Sequence, residues 1–126
     1  MEIDSLEIDS KDKAVLSATV AEGKKAKDVI ILNIHGLTTI ADYFLICSGE
    51  STRQVKAIAD AIEEALSKKR SFPSHIEGLK EAKWVLMDYG DLIVHIFDRE
   101  TRHYYELERL WGDASLVEIQ DTRKRG

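Results

Sequence analysis

This sequence is short of the features that usually announce a chemistry. Cys47 is its only cysteine, so no intrachain disulfide is possible and a disulfide-stapled secreted scaffold is excluded. No apolar run approaches the ~20 residues that a membrane-spanning helix needs. Basic residues are not in excess: 18 Lys and Arg stand against 23 Asp and Glu, a formal net charge of −5. That balance argues against nucleic acid as the principal partner, because binding phosphates requires a basic field. Only Arg123-Lys124-Arg125 is locally basic at the C-terminus. A P-loop, a dinucleotide glycine motif, CxxC, HExxH and GxSxG are all missing. The opening residues MEIDSLEIDSKDK are acidic and lack arginine, the wrong composition for a secretory signal or a transit peptide. A soluble cytoplasmic protein is the expectation.

What remains is a globular composition. Of the 126 residues 44% are hydrophobic, and the 33% that are charged exceed the roughly 25% average, which suits one domain with a charged skin. An acidic domain is matched to a basic protein partner. Residues 1–12 are expected to be a mobile acidic extension, 13–113 the domain, and 114–126 a frayed polar tail. From Lys13 a first helix is predicted, with Val15, Leu16, Ala18, Thr19, Val20 and Ala21 as its apolar stripe. The run Val29–Ile34 reads as a central strand, and a short connection favours an antiparallel neighbour over about Ala41–Ser48. Ser51 with Gln54 three residues later is a capping-box signature. The helix it opens carries Val55, Ile58, Ala59, Ile62 and Leu66 on one face. A polar loop holding Pro73, the only proline, follows. Asp98 can cap a last helix running to about Trp111, with Tyr104, Leu107, Leu110 and Trp111 as its buried stripe. The order α-β-β-α-β-β-α defines an α/β fold, a single-domain mixed β-sheet packed with helices.

The stretch Trp84–Phe97, WVLMDYGDLIVHIF, reads as a β-hairpin turning at Tyr89-Gly90. In that register Asp88 faces Asp91 and Trp84 faces His95. Alternation puts Val85, Met87, Leu92, Val94 and Ile96 on one wholly apolar face. The other face, Trp84, Leu86, Asp88, Asp91, Ile93, His95 and Phe97, mixes aromatic, aliphatic and charged groups. It is either the underside of the last helix or a contact surface, since aromatics flanked by charge at a turn are also how a binding hot spot looks.

Candidate chemistry elsewhere is thin. His35, His75, His95 and His103 lie far apart, with no pair at metal-ligand spacing. Cys47 sits in an apolar strand as a small hydrophobe. The Gly49-Glu50-Ser51 turn leads into a helix N-terminus and might be asked to hold a phosphate, but Glu50 would repel the anion. Asp42, Asp88 and Asp91 do not form the closely spaced acidic pair that magnesium-dependent nucleotidyl transfer uses.

The segments ADYFLICSGESTRQVKAIAD, IEG, WVLMDYGDLIVHIF and RHYYELERLW, in this order and spacing, closely resemble the ribosomal silencing factor (Iojap-like) family over about residues 14–113. The resemblance implies a fold related to nucleotidyltransferases without their catalytic carboxylates, no enzymatic role, and no cofactor or metal. It implies binding to the fourteenth protein of the large ribosomal subunit (uL14 type), steric obstruction of subunit joining, and so repression of translation. Organelle relatives assist large-subunit assembly, and relatives form homodimers, so a homodimer is a further expectation. The family pattern falls on Trp84, Asp88, Tyr89, Gly90, Asp91, His95, Tyr105, Leu107, Glu108 and Trp111. Trp84 and Tyr89 are expected as apolar anchors, Asp88 and Asp91 as acids meeting basic partner residues, and Gly90 as the turn former. Arg102 and Tyr105 are expected to rim the same surface, while Leu107 and Trp111 pack the core. Charge reversal at Asp88 and Asp91 is expected to weaken binding without unfolding the domain. Arg102-His103-Tyr104-Tyr105 departs from the family's usual acidic residue followed by one aromatic. The alternative of another class is a nucleotide-binding or nucleotidyltransferase-like enzyme using the Gly49–Ser51 turn.

Overall fold

In this computed structural model, which describes residues 8–119, the sheet is organised around the apolar segment Tyr43–Gly49. The elements in chain order are α1 (Ser10–Gly23), β1 (Lys27–Asn33), β2 (Tyr43–Gly49), α2 (Thr52–Ser67), β3 (His75–Glu77), β4 (Trp84–Asp88), β5 (Leu92–Asp98), α3 (Arg99–Tyr105), α4 (Leu107–Leu110) and β6 (Ser115–Val117). They build one six-stranded mixed sheet of order β3-β4-β5-β2-β1-β6. β2 pairs antiparallel with β1 and parallel with β5, so both its edges are satisfied, and six of its seven residues are buried. The α/β reading with a mixed sheet is correct, and so is the antiparallel β1–β2 pair.

α1 and α2 cover one face. The buried stripe of α2 is Val55, Ile58, Ala59, Ile62 and Leu66, as its spacing predicts. Each large aliphatic in it contributes about 1.5–3 kcal/mol relative to exposure. Ser51 caps the helix, accepting from Gln54 N at 3.1 Å. α1 differs from its prediction. It starts at Ser10, capped by Asp9, inside the stretch expected to be an extension; residues 1–7 lie outside the described part. Its buried stripe is Lys13, Ala14, Ser17, Ala18 and Ala21, with Val15, Leu16 and Val20 only partly buried beside it. Small residues at the contact let the helix lie close to α2 and the sheet, a choice that packing makes and hydropathy alone does not reveal.

Three further expectations are corrected. The polar loop after α2 contains β3, which pairs with β4 and extends the sheet. The start of the expected frayed tail contains β6, which pairs with β1, so β1 is second from the edge and β2 is the centre. The last helix is broken. Glu106 adopts a left-handed conformation with φ 47, splitting it into α3 and α4. Of the stripe predicted for it, Leu107 and Trp111 do pack on the second face of the sheet, while Tyr104 and Leu110 are exposed.

The hairpin faces are as expected but its register is not. Tyr89 N donates to Leu92 O at 2.9 Å, so the two-residue loop is Gly90-Asp91 rather than Tyr89-Gly90. Gly90 has φ +88 at the first central position, where a primed turn of the second type calls for glycine. Every pair moves by two: Trp84 faces Phe97, Leu86 faces His95 and Asp88 faces Ile93. The like-charge pair of Asp88 with Asp91 therefore does not form. Because the slip is even, side chains keep their faces. Val85, Met87, Leu92, Val94 and Ile96 are fully buried beneath the helices.

Candidate functional site

The second face of the sheet is covered unevenly. Leu107, Trp111 and Ala114 lie over Leu32, Phe44, Ile46 and neighbouring residues. Nothing comparable lies over β3 and β4, where Trp84, Leu86 and Asp88 are only partly buried. The β3–β4 register sets His75 beside Asp88 and Glu77 beside Leu86. His75 Nε2 stands 3.2 Å from Glu77 and 4.0 Å from Asp88, so an apolar patch acquires an acidic rim. His75 and Glu77 were not among the predicted site residues. A three-residue strand carries too little periodicity to be read, so their place depends on pairing with β4.

Aromatic rings connect this patch to α3. The Trp84 ring lies 5.0 Å from Tyr105 and 4.9 Å from Phe97, and Phe44 makes edge contacts with His95 at 4.7 Å and with Trp111 at 5.3 Å. Tyr105 is half exposed at the rim, as expected. His95 is buried, and its Nδ1 accepts a hydrogen bond from Trp84 Nε1 at 3.1 Å. That bond requires a lone pair on Nδ1, hence a neutral ring with its proton on Nε2. Burial acts in the same sense, pulling the His95 pKa from 6.5 to about 4. His95 thus orients Trp84 from below and offers little surface of its own. As pH falls through 6.5 the unfolded chain takes up a proton at this residue and the folded one does not. Folding stability is therefore expected to drop between pH 6.5 and about 4, and urea titrations over that window should show a shallower slope for His95→Leu.

The turn at the end of the hairpin is tied down from within. Asp91 accepts from Lys13 Nζ at 2.9 and 3.2 Å, and its carbonyl accepts from the amides of Asp42 and Tyr43. Lys13 also lies 6.0 Å above the Tyr89 ring. Asp88 Oδ1 accepts from Gly90 N at 2.8 Å, leaving its other oxygen toward the rim. Tyr89, expected as an anchor, belongs instead to the helix-covered core at 8% exposure. Burial and then the nearby Glu63 push its phenol pKa upward, so it stays neutral. Arg102, expected at the rim, is also buried. Its guanidinium donates to Asp28 O at 2.7 Å, to Ser48 Oγ at 3.0 Å and to Glu108 at 3.2 Å. Of the predicted set, then, Trp84, Asp88 and Tyr105 share the part-open patch. Tyr89, Asp91, His95 and Arg102 lie beneath it or hold its edges, and Gly90 shapes the turn.

The Gly49–Ser51 turn uses its polar groups on the chain itself. Glu50 N donates to Gln54 Oε1, and Gln54 Nε2 donates to the carbonyls of Lys24 and Lys25 at 3.0 and 3.1 Å, joining α2 to the end of α1. Glu50 also meets Arg99 at 3.5 Å. Burial drives the Cys47 thiol pKa up to about 12, so it is not a thiolate nucleophile at neutral pH. Among the described residues no three His, Cys, Asp or Glu side chains gather as metal ligands would.

Fold and site define a small α/β domain with one helix-covered sheet face and one part-open aromatic face with an acidic rim. Over residues 7–126 the sequence matches the family described as "Ribosomal silencing factor during starvation". A ribosomal silencing factor RsfS of Halalkalibacterium halodurans is 44% identical over 105 residues, covering 83% of this chain and 90% of that protein. The chloroplastic Iojap protein of Zea mays is 32% identical over 113 residues, which is 89% of this chain and 49% of the longer plant protein. A crystal structure of a Chromobacterium violaceum protein superposes with a TM-score of 0.81 at 31% identity, covering 90% of this chain and 94% of the other. A Bacillus halodurans structure gives 0.73 at 39% identity, covering 82% and 94%. The chain belongs to the ribosomal silencing factor family.

Proposed function

We propose that this protein is a non-enzymatic regulator that binds the large ribosomal subunit in the cytoplasm and keeps the small subunit from joining it. Its contact is a basic surface of the uL14-type ribosomal protein, and the bound domain acts by filling space that intersubunit contacts need. Family membership supports the ribosomal role. Relatives carry names such as ribosomal silencing factor, and a mouse relative is named for mitochondrial assembly of the ribosomal large subunit. The observation that carries the surface is the part-open patch of Trp84, Leu86 and Tyr105 with Asp88 and Glu77 beside it. Such a patch combines apolar anchor area with charge complementary to a basic partner.

The test is sedimentation with purified bacterial subunits. The protein is expected to travel with free large subunits, and adding it before small subunits should reduce formation of joined ribosomes. Asp88→Lys should weaken large-subunit binding by about tenfold, a difference of about 1.4 kcal/mol. Its melting temperature should change little, because only the turn bond to Gly90 N is lost, at about 0.5–1.5 kcal/mol. Wild-type binding by Asp88→Lys would remove the acidic rim from the contact.

A further inference from the structure

We infer that Arg102 is a positioning residue for the partner-binding face: it acts from inside the protein by holding α3 so that Tyr105 stays against Trp84. This rests on the proposed ribosomal role and names a further residue of that surface.

α3 has an unusual attachment. A seven-residue surface helix normally docks through an apolar stripe, yet the only buried residue of α3 is Arg102. The two tyrosines that follow it project outward, Tyr104 at 78% and Tyr105 at 51% exposure. α4 has no fully buried residue either. The helix is therefore held by one guanidinium that reaches three separate parts of the fold. Nη1 takes the carbonyl of Asp28 and the hydroxyl of Ser48, while Nε and Nη2 take Glu108 Oε2.

The backbone is shaped to receive it. Asp28 has φ 49 and lies where the β1–β2 register slips, so its carbonyl is free of the ladder and available to Arg102. Glu106, at φ 47, turns the chain so that Glu108 comes back toward the guanidinium. The carbonyl of Arg102 itself accepts from Glu106 N at 2.8 Å, closing α3 at that bend. Three residues beyond Arg102, Tyr105 reaches the Trp84 ring. A planar guanidinium serves acceptors in several directions at once, which a single ammonium does not. The bend and the aromatic contact thus share one anchor.

The test is a double-mutant cycle on binding to purified large subunits, read by sedimentation at a temperature where every variant is folded. Arg102→Lys keeps the charge but not the fork, and is expected to lower affinity about tenfold, as is Tyr105→Ala. If Arg102 works through Tyr105, the lysine change costs little more once Tyr105 is absent. A purely structural role would make the losses multiply to about a hundredfold, and that result overturns the proposal. So does unchanged binding by Arg102→Lys alone. Should Arg102→Lys fail to fold, Glu108→Gln takes its place in the same cycle, with the same two results overturning the idea. If the wild-type protein fails to bind large subunits, the ribosomal role and this inference fall together. Wild-type binding with an unaffected Arg102→Lys removes this inference alone.

Discussion

Gly78→Ala is expected to destabilise the domain by about 4 kcal/mol or more, the range reached only by severe backbone or core lesions. Gly78 has φ +89, which an L side chain adopts only with strain. A Cβ there would also overlap the carbonyl oxygen of Trp84 and approach its carbonyl carbon to 3.1 Å. The obstacle is backbone, so no rotamer change relieves it, and either the start of β4 moves or the strand after Glu77 does. Both carry the patch, since Trp84 opens β4 and Glu77 ends β3. At about 4 °C per kcal/mol for a domain of this size, the melting temperature should fall by about 15 °C. Gly36→Ala and Gly90→Ala are the controls. Their φ values are equally positive at 89 and 88, but nothing lies within 4 Å of an added Cβ. Each should cost about 1 kcal/mol, the conformational part alone. Thermal melts of the three variants would separate strain from overlap, and equal losses would show that the close approach is unimportant.

Asp91→Lys is expected to lower the unfolding free energy by about 2–4 kcal/mol, and Lys13→Met by much less. Lys13 is 93% buried by its 7% exposure, and its ammonium is matched by the Asp91 carboxylate. Removing the acid leaves a buried cation without a partner, and a second lysine adds repulsion. Breaking a buried pair in this way costs about 3–5 kcal/mol, reduced here because the Asp91 side chain is 33% exposed and water screens it. Methionine at 13 instead removes the buried charge and fills similar volume, while Asp91 retains access to water. Urea unfolding should therefore rank the two unequally, and equal losses would mean that the pair is not what holds the turn. Asp88 and Asp91, which from sequence alone look like two equivalent acids at one turn, are thereby separated. Asp88 is expected to act on binding, and Asp91 on stability through Lys13, so reversing both at once would confuse the two effects.

Much of the fold was legible in local patterns. The five-residue stripe of α2 and its Ser51 cap need only helical spacing and a side chain that reaches the third amide. The clean face of the hairpin needs only alternation, which is why it survived a turn placed one residue early at Tyr89-Gly90. Short elements such as β3 and β6 were not legible, because three residues show no period and become strands only when β4 and β1 offer them a ladder. The break at Glu106 was hidden for a related reason. A glutamate has no sequence mark for a left-handed backbone, and the tertiary contacts of Glu108, Leu107 and Trp111 hold it there.

The sequence by itself determined a mixed α/β domain, the buried face of its hairpin and, through four segments in fixed order, the family. It also marked Trp84, Asp88 and Tyr105 as residues of one surface. Only the tertiary structure decided which marked residues face outward. Arg102 and Tyr89 look exposed by type and position, but three acceptors gather around the guanidinium of one and the helix layer closes over the ring of the other. Asp91 meets Lys13 across 78 positions of sequence. Spacing reports which way a side chain points from its own strand or helix, whereas burial and ion pairing depend on what the rest of the chain brings to that face.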